Sequence, residues 1–128
     1  MKIILISPTW KKKTKRERLG RHKVFKVPPH SLISVAALTP KDIDIEIVDE
    51  NIEAIDFDKE VDLVGVTTMT ASSPRAYEIA DMFRDKGVPV VLGGIHVTSV
   101  PEEAAQHADA VVMGEAEGNW ERIIQDLR

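Results

Sequence analysis

The run Lys2-Ile3-Ile4-Leu5-Ile6-Ser7 constrains this chain more than any other feature. It is aliphatic without polar alternation, the pattern of a strand buried on both faces, and such strands belong to parallel sheets covered by helices on either side. Two further runs repeat it: Leu63-Val64-Gly65-Val66-Thr67 and Val88-Pro89-Val90-Val91-Leu92. Between them lies a segment with Ala76, Ile79, Ala80 and Phe83 at the spacing of one helical face. Ser73-Pro74 opens that helix as cap residue and first-turn proline, and Gly87 stops it.

The remaining elements follow the same alternation. Ser31–Leu38 reads as a helix with Leu32, Val35 and Ala36 inward and Pro40 just beyond its end. Asp42–Val48 alternates strictly, Ile43, Ile45 and Ile47 against Asp42, Asp44 and Glu46, which predicts a strand at a sheet edge. Ser99-Val100-Pro101-Glu102 reads as a capping box opening a short helix to about His107. Asp109–Met113 is a fifth strand, and Trp120, Ile123, Ile124 and Leu127 form the face of a final helix. Five strands joined by helices imply right-handed crossovers in a doubly wound α/β sheet. Placing the alternating strand at the edge selects the order 2-1-3-4-5, a flavodoxin-like (Rossmann-like) fold.

Ligands of such sheets sit at the carboxyl ends of the strands. Three strand ends carry small or polar residues there: Thr67-Thr68-Met69-Thr70, Gly93-Gly94-Ile95-His96 and Gly114-Glu115-Ala116-Glu117. Ser7-Pro8-Thr9 completes the rim from the first strand. Paired glycines admit two readings, close approach of backbone to a bulky ligand or a tight strand-to-loop turn. Glu115 and Glu117 suit either cofactor contact or a helix N-terminus, and His96 is more naturally structural than a metal ligand. Asp49 reads as a solvated strand end.

Several occupants fail on residues. No glycine-rich loop ends in Lys-Ser/Thr, and no G-x-G-x-x-G follows a strand. A phospho-receiver site needs carboxylates where this chain has Ser7-Pro8 and Thr67-Thr68. A flavin site is disfavoured by the long basic first loop. With no cysteine there is no disulfide, zinc-thiolate site or iron–sulfur cluster in this polypeptide. No apolar run approaches a membrane span of ~20 residues, and the apolar start is too short for a signal peptide, so a cytoplasmic location and no membrane partner are expected.

The net charge of −4 hides a split. Residues 1–26 carry about +9 and the remainder about −13. The cations concentrate at Lys11–Lys26, inside a long irregular connection, about 8–29, that Pro28-Pro29 closes. So few apolar residues cannot order such a segment alone, which predicts a mobile arm. It defines the alternative function, a nucleic-acid- or anion-binding accessory domain using residues 11–26. Only Trp10 and Phe25 could stack on bases, so nucleic acid is the weaker expectation.

The order of several pieces resembles the amino-terminal cobalamin-binding domain of cobalamin-dependent radical S-adenosylmethionine enzymes. The pieces are Val27-Pro28-Pro29-His30-Ser31-Leu32, Val64–Thr70, Arg75-Ala76-Tyr77-Glu78-Ile79-Ala80, Val90–Thr98 with Pro101-Glu102-Glu103, and Ala110–Glu117. The resemblance covers essentially the whole chain, 1–128, as one domain. It implies a corrin ring across the strand ends and a nucleotide tail running down among the loops. Thr67, Thr68, Met69 and Thr70 would line tail or ring edge, and Gly93, Gly94, Gly114 and Glu115 would meet cofactor amides.

Two departures follow. Methionine synthase and mutase relatives carry Asp-x-His-x-x-Gly after the first strand; here the residues are Ser7-Pro8-Thr9-Trp10-Lys11-Lys12, so that histidine is missing and the resemblance implies that cobalt is bound without it. The Cys-x-x-x-Cys-x-x-Cys motif is absent as well. The resemblance therefore implies that the iron–sulfur cluster and S-adenosylmethionine belong to a following radical domain absent from this chain. No residue here is assigned to catalysis or metal ligation. The implied function is a cobalamin-binding module of a radical enzyme, most often a methyltransferase acting on an unactivated carbon or phosphorus.

Overall fold

The computed structural model describes residues 1–9, 30–114 and 116–128. The basic arm 11–26, with the mobility expected of it, and Glu115 lie outside the described residues. Five strands, β1 (Lys2–Ser7), β2 (Asp44–Asp49), β3 (Leu63–Thr67), β4 (Val90–Gly93) and β5 (Ala110–Val111), form one sheet. Its order is β2-β1-β3-β4-β5 and every neighbouring pair is parallel. The expected flavodoxin-like fold class and strand order are those observed.

The aliphatic runs explain the layering. Successive side chains of a strand point to opposite faces, so Ile4 and Ile6 enter one core while Ile3 and Leu5 enter the other. The first core lies under α2 (Ser73–Asp85), α3 (Ile95–Ser99) and α4 (Pro101–Ala104). Ala76, Ile79, Ala80 and Phe83 of α2 are all fully buried, as their helical spacing requires. Phe57 packs on Phe83 with ring centroids 5.1 Å apart. The second core lies under α1 (His30–Ala37) and α5 (Glu117–Leu127), which contribute Leu32, Val35, Trp120 and Ile124.

Among the described residues β2 pairs with β1 alone, so the alternating strand is an edge. Ile45 and Ile47 pack against the second core, while Glu46 meets Lys59 and Lys2 on the other face.

Three local readings need correction. Ser73 is the first residue of α2, not its cap; a 3-10 turn over Thr70–Ser72 precedes it, and the Ser73 hydroxyl donates to the Thr70 carbonyl at 3.0 Å. Ser99 does not open a capping box. It ends α3 and its hydroxyl returns to the Ile95 carbonyl at 3.3 Å, while Val100 caps α4 without a side-chain bond. The reason is that Ile95–Ser99 is already helical, held by Thr68: its carbonyl accepts from the His96 amide and its hydroxyl from the Val97 amide. β5 is shorter than Asp109–Met113, although Asp109 and Val112 amides still donate to Val90 and Leu92 carbonyls.

Candidate functional site

Among the described residues, the second face of the sheet does not close at the carboxyl end. A cavity of ≈ 560 Å³ opens there between the sheet, α1 and α5. Register builds it in rows. Leu5, Gly65 and Val91 lie side by side across β1, β3 and β4 and form the floor; two residues further along, Thr67 and Gly93 pair at the rim. Leu32 and Val35 of α1, and Trp120 of α5, make the apolar walls. Thr98, Ser99 and Gly114 edge the mouth.

The two glycines separate by role. A Cβ on Gly93 would come no closer than 3.8 Å, to Val112, so the backbone is left open to the cavity. Gly94 has φ +106° and a Cβ there would stand 2.5 Å from the Thr68 carbonyl oxygen. The two glycines thus differ: Gly93 leaves its backbone open to the cavity, and Gly94 is demanded by the turn itself. The turn is braced from beneath. Thr68 is fully buried, with its amide 2.7 Å and its hydroxyl 2.8 Å from the Gly93 carbonyl. Above, the Thr98 hydroxyl donates to the Gly94 carbonyl at 3.0 Å and accepts the Gly114 amide at 2.9 Å.

Of the expected site residues, Thr67, Gly93, Gly94 and Gly114 are brought together at the cavity. Thr68 serves the turn from within. Met69 is exposed on the loop after β3, and Thr70 begins the 3-10 turn. Ser7, Pro8 and Thr9 lie across the sheet toward β2, where the Thr9 amide donates to Glu50 and its hydroxyl to Asn51. Glu50 is also gripped by Arg75, whose Nη2 stands 2.6 Å away; that carboxylate holds the guanidinium charged beyond its usual range. His96 does not line the cavity. Its Nε2 is 2.9 Å from Glu103 and its Nδ1 3.4 Å from the Thr70 hydroxyl.

Glu103 also accepts from the Tyr77 hydroxyl at 2.8 Å, and these two bonds, Tyr77's first, hold the carboxyl below its ordinary value. Desolvation, then the Glu103 carboxylate, pushes Tyr77 up to about 12. Tyr77 stacks on His107 at 4.3 Å between centroids. This cluster ties α2, α3 and α4 together and leaves no group of three His or carboxylate side chains arranged for a metal among the described residues.

Gly65, Leu5, Val91, Thr98 and Trp120 were not among the expected site residues. A glycine in the middle of a strand was the available signal, since it marks close approach or missing volume. Trp120 reads as core from its helical spacing, and it is also cavity wall.

A parallel sheet in this order, with a ligand-sized apolar crevice at its switch-side strand ends, defines a flavodoxin-like binding domain. The sequence pattern of the B12 binding domain family matches residues 25–124. The chain belongs to that family. It is 48% identical over 94 residues, 73% of its length, to bacteriochlorophyllide d C-8(2)-methyltransferase of Chlorobaculum tepidum. It is 36% identical over 101 residues, 77% of its length, to bacteriochlorophyllide d C-12(1)-methyltransferase of the same organism. An uncharacterized methyltransferase of Pyrococcus horikoshii is 31% identical over 140 residues, an alignment spanning 99% of this chain. The chain spans only 21%, 22% and 29% of these relatives' lengths. Among solved structures, the response regulator TrrA of Thermotoga maritima superposes with a TM-score of 0.63 at 14% identity, covering 99% of this chain and 98% of that one. That likeness is one of fold. No described helix is long and apolar enough to cross a membrane.

Proposed function

We propose that residues 1–128 form the cobalamin-binding module of a cobalamin-dependent radical S-adenosylmethionine methyltransferase. The methyltransferase relatives support the reaction class, and the small share of their length that this chain spans supports a separate domain for the radical chemistry. A cysteine-held iron–sulfur cluster and its S-adenosylmethionine would belong to that domain, because this sequence contains no cysteine.

The carrying observation is the cavity that Gly93 leaves open at the strand ends. Its residues suit the cofactor. The corrin would lie across the rim, where Thr67, Thr98 and the backbone of Gly93 and Gly114 meet amide side arms that both donate and accept hydrogen bonds. The nucleotide tail would descend between α1 and α5 to the floor at Leu5, Gly65 and Val91. When bound, the cobalamin supplies a methyl group carried on its cobalt. The chain's own residues bind and orient: Thr68 and Thr98 hold the Gly93–Gly94 turn, and apolar walls exclude water from the tail. Ser7, Pro8 and Thr9 remain candidates for lining the crevice, Met69 and Thr70 for the tail or ring edge and Glu115 for contact with cofactor amides, and His96 acts through Glu103 and Thr70 rather than on cobalt.

Titration with hydroxocobalamin, followed by its visible spectrum through gel filtration, tests the reading. The parent chain should retain the corrinoid and Gly93→Val should lose it while remaining folded by circular dichroism. Salt-sensitive RNA binding without corrinoid binding would instead favour the basic-arm alternative.

A further inference from the structure

We infer that the cavity selects corrinoids whose nucleotide carries an apolar benzimidazole-type base over those carrying a purine. The inference rests on the cobalamin-binding reading above and adds the class of ligand that the site prefers.

The chemistry of the deep end carries it. The floor and walls, among the described residues, include Leu5, Gly65, Val91, Leu32, Val35 and Trp120, and the other residues lining them are apolar as well. The floor backbone is engaged in the ladder, since Leu5 and Val91 both lie in register with Gly65 in the parallel sheet. One polar side-chain atom stands in these walls, the Trp120 indole N–H, and it is committed: it donates to the Thr39 hydroxyl at 2.8 Å. That hydroxyl in turn donates to the Val35 carbonyl at 2.9 Å. The hydroxyls of Thr67, Thr98 and Ser99 sit at the strand-end mouth, two residues or more beyond the floor row.

A dimethylbenzimidazole base brings two methyl groups and a fused carbocycle, which such walls accept. Adenine brings an amino group and additional ring nitrogens, each bonded to water outside and without a partner inside. A buried donor or acceptor left unmade is penalised, whereas the apolar isostere is not. Each such group weakens binding by about ten-fold or more. Gly65 contributes no polar group of its own side chain: a Cβ there would stand 2.8 Å from the Leu5 Cδ2, so the Leu5 side chain leans over the glycine and forms that part of the floor.

Calorimetric titration of the chain with cobalamin, the adenine-bearing cobamide and cobinamide, which lacks the nucleotide, decides it. Cobalamin should bind about ten-fold or more tightly than the adenine cobamide, and cobinamide should bind more weakly than cobalamin. The more basic benzimidazole is held more firmly by cobalt in solution, so competition from the metal works against the expected order and cannot produce it. Val91→Thr, which places a hydroxyl on the floor at nearly unchanged volume, should narrow the ratio by roughly three-fold or more. Equal affinity for the two complete cobamides, or cobinamide binding as tightly as cobalamin, overturns the inference and leaves the corrinoid reading standing. Failure of all three to bind overturns both.

Discussion

The two faces of the sheet are built from the same strands yet end differently. Under α2, α3 and α4 the core-facing side chains are sealed, and Phe83, Ile79 and Val97 are fully buried. Under α1 and α5 the described residues cover the same length of sheet only in part, and a cavity of ≈ 560 Å³ remains at the strand ends. The difference lies in which residues face each way. The closed face receives Val64, Val66 and Leu92 from the central strands, and the open face receives Gly65, Thr67 and Gly93. Among the described residues, one face of the sheet is sealed by its helices and the other keeps an open crevice at the strand ends.

Breaking the closed face should have the largest effect. Phe83→Ala removes a ring that Phe57 and the helix seal completely, and should cost about 3–5 kcal/mol in denaturant unfolding. Leu32→Ala, whose side chain already borders open space, should cost about 2 kcal/mol, the low end for such a truncation. Equal losses would mean that the open face is packed as tightly as the other.

The glycine pair sharpens the contrast within one turn. Gly94→Ala forces a Cβ against the Thr68 carbonyl at a φ that side chains avoid, and should cost about 2 kcal/mol or more. Gly93→Ala should alter stability by less than about 1 kcal/mol, because its Cβ meets only ordinary contacts. Comparable losses at both positions would show that Gly93 also belongs to the turn and not to the cavity.

The smallest effect probes the cluster behind the closed face. Tyr77 is the one tyrosine of the sequence, so ultraviolet titration reports it directly. Its ionisation should centre at about 12, not 10. Because the folded value is raised, the associated stability is fully present below pH 10 and lost as pH rises through about 12. Glu103→Gln should move the midpoint back toward 10 by removing the charge that the tyrosinate would face; an unchanged midpoint would leave burial alone as its cause.

The strands were legible because burial on two faces leaves no room for polar alternation, and the edge strand because it alternates. The lining of the cavity was legible only in part. Thr67, Gly93 and Gly114 stand at strand ends, where topology alone puts a ligand. Gly65 and Trp120 carry the same residue types that a plain core would use, and only the parallel register and the short α1 and α5 coverage turn them into floor and wall.

Local patterns misled where distant partners intervened. The Ser99 capping motif reads correctly in isolation, but Thr68, some thirty positions earlier, holds Ile95–Ser99 as a helix of its own. His96 sits beside two glycines at a strand end, and Glu103 and Thr70 hold its ring in a separate cluster. Hydrophobic periodicity, with the rules of parallel-sheet topology, thus determined the layers and the strand order, since burial is a property of pattern. Which glycine opens the cavity, which threonine braces it and where the histidine points were decided by tertiary structure. Hydrogen bonds and van der Waals contacts depend on neighbours that meet only when the chain has folded.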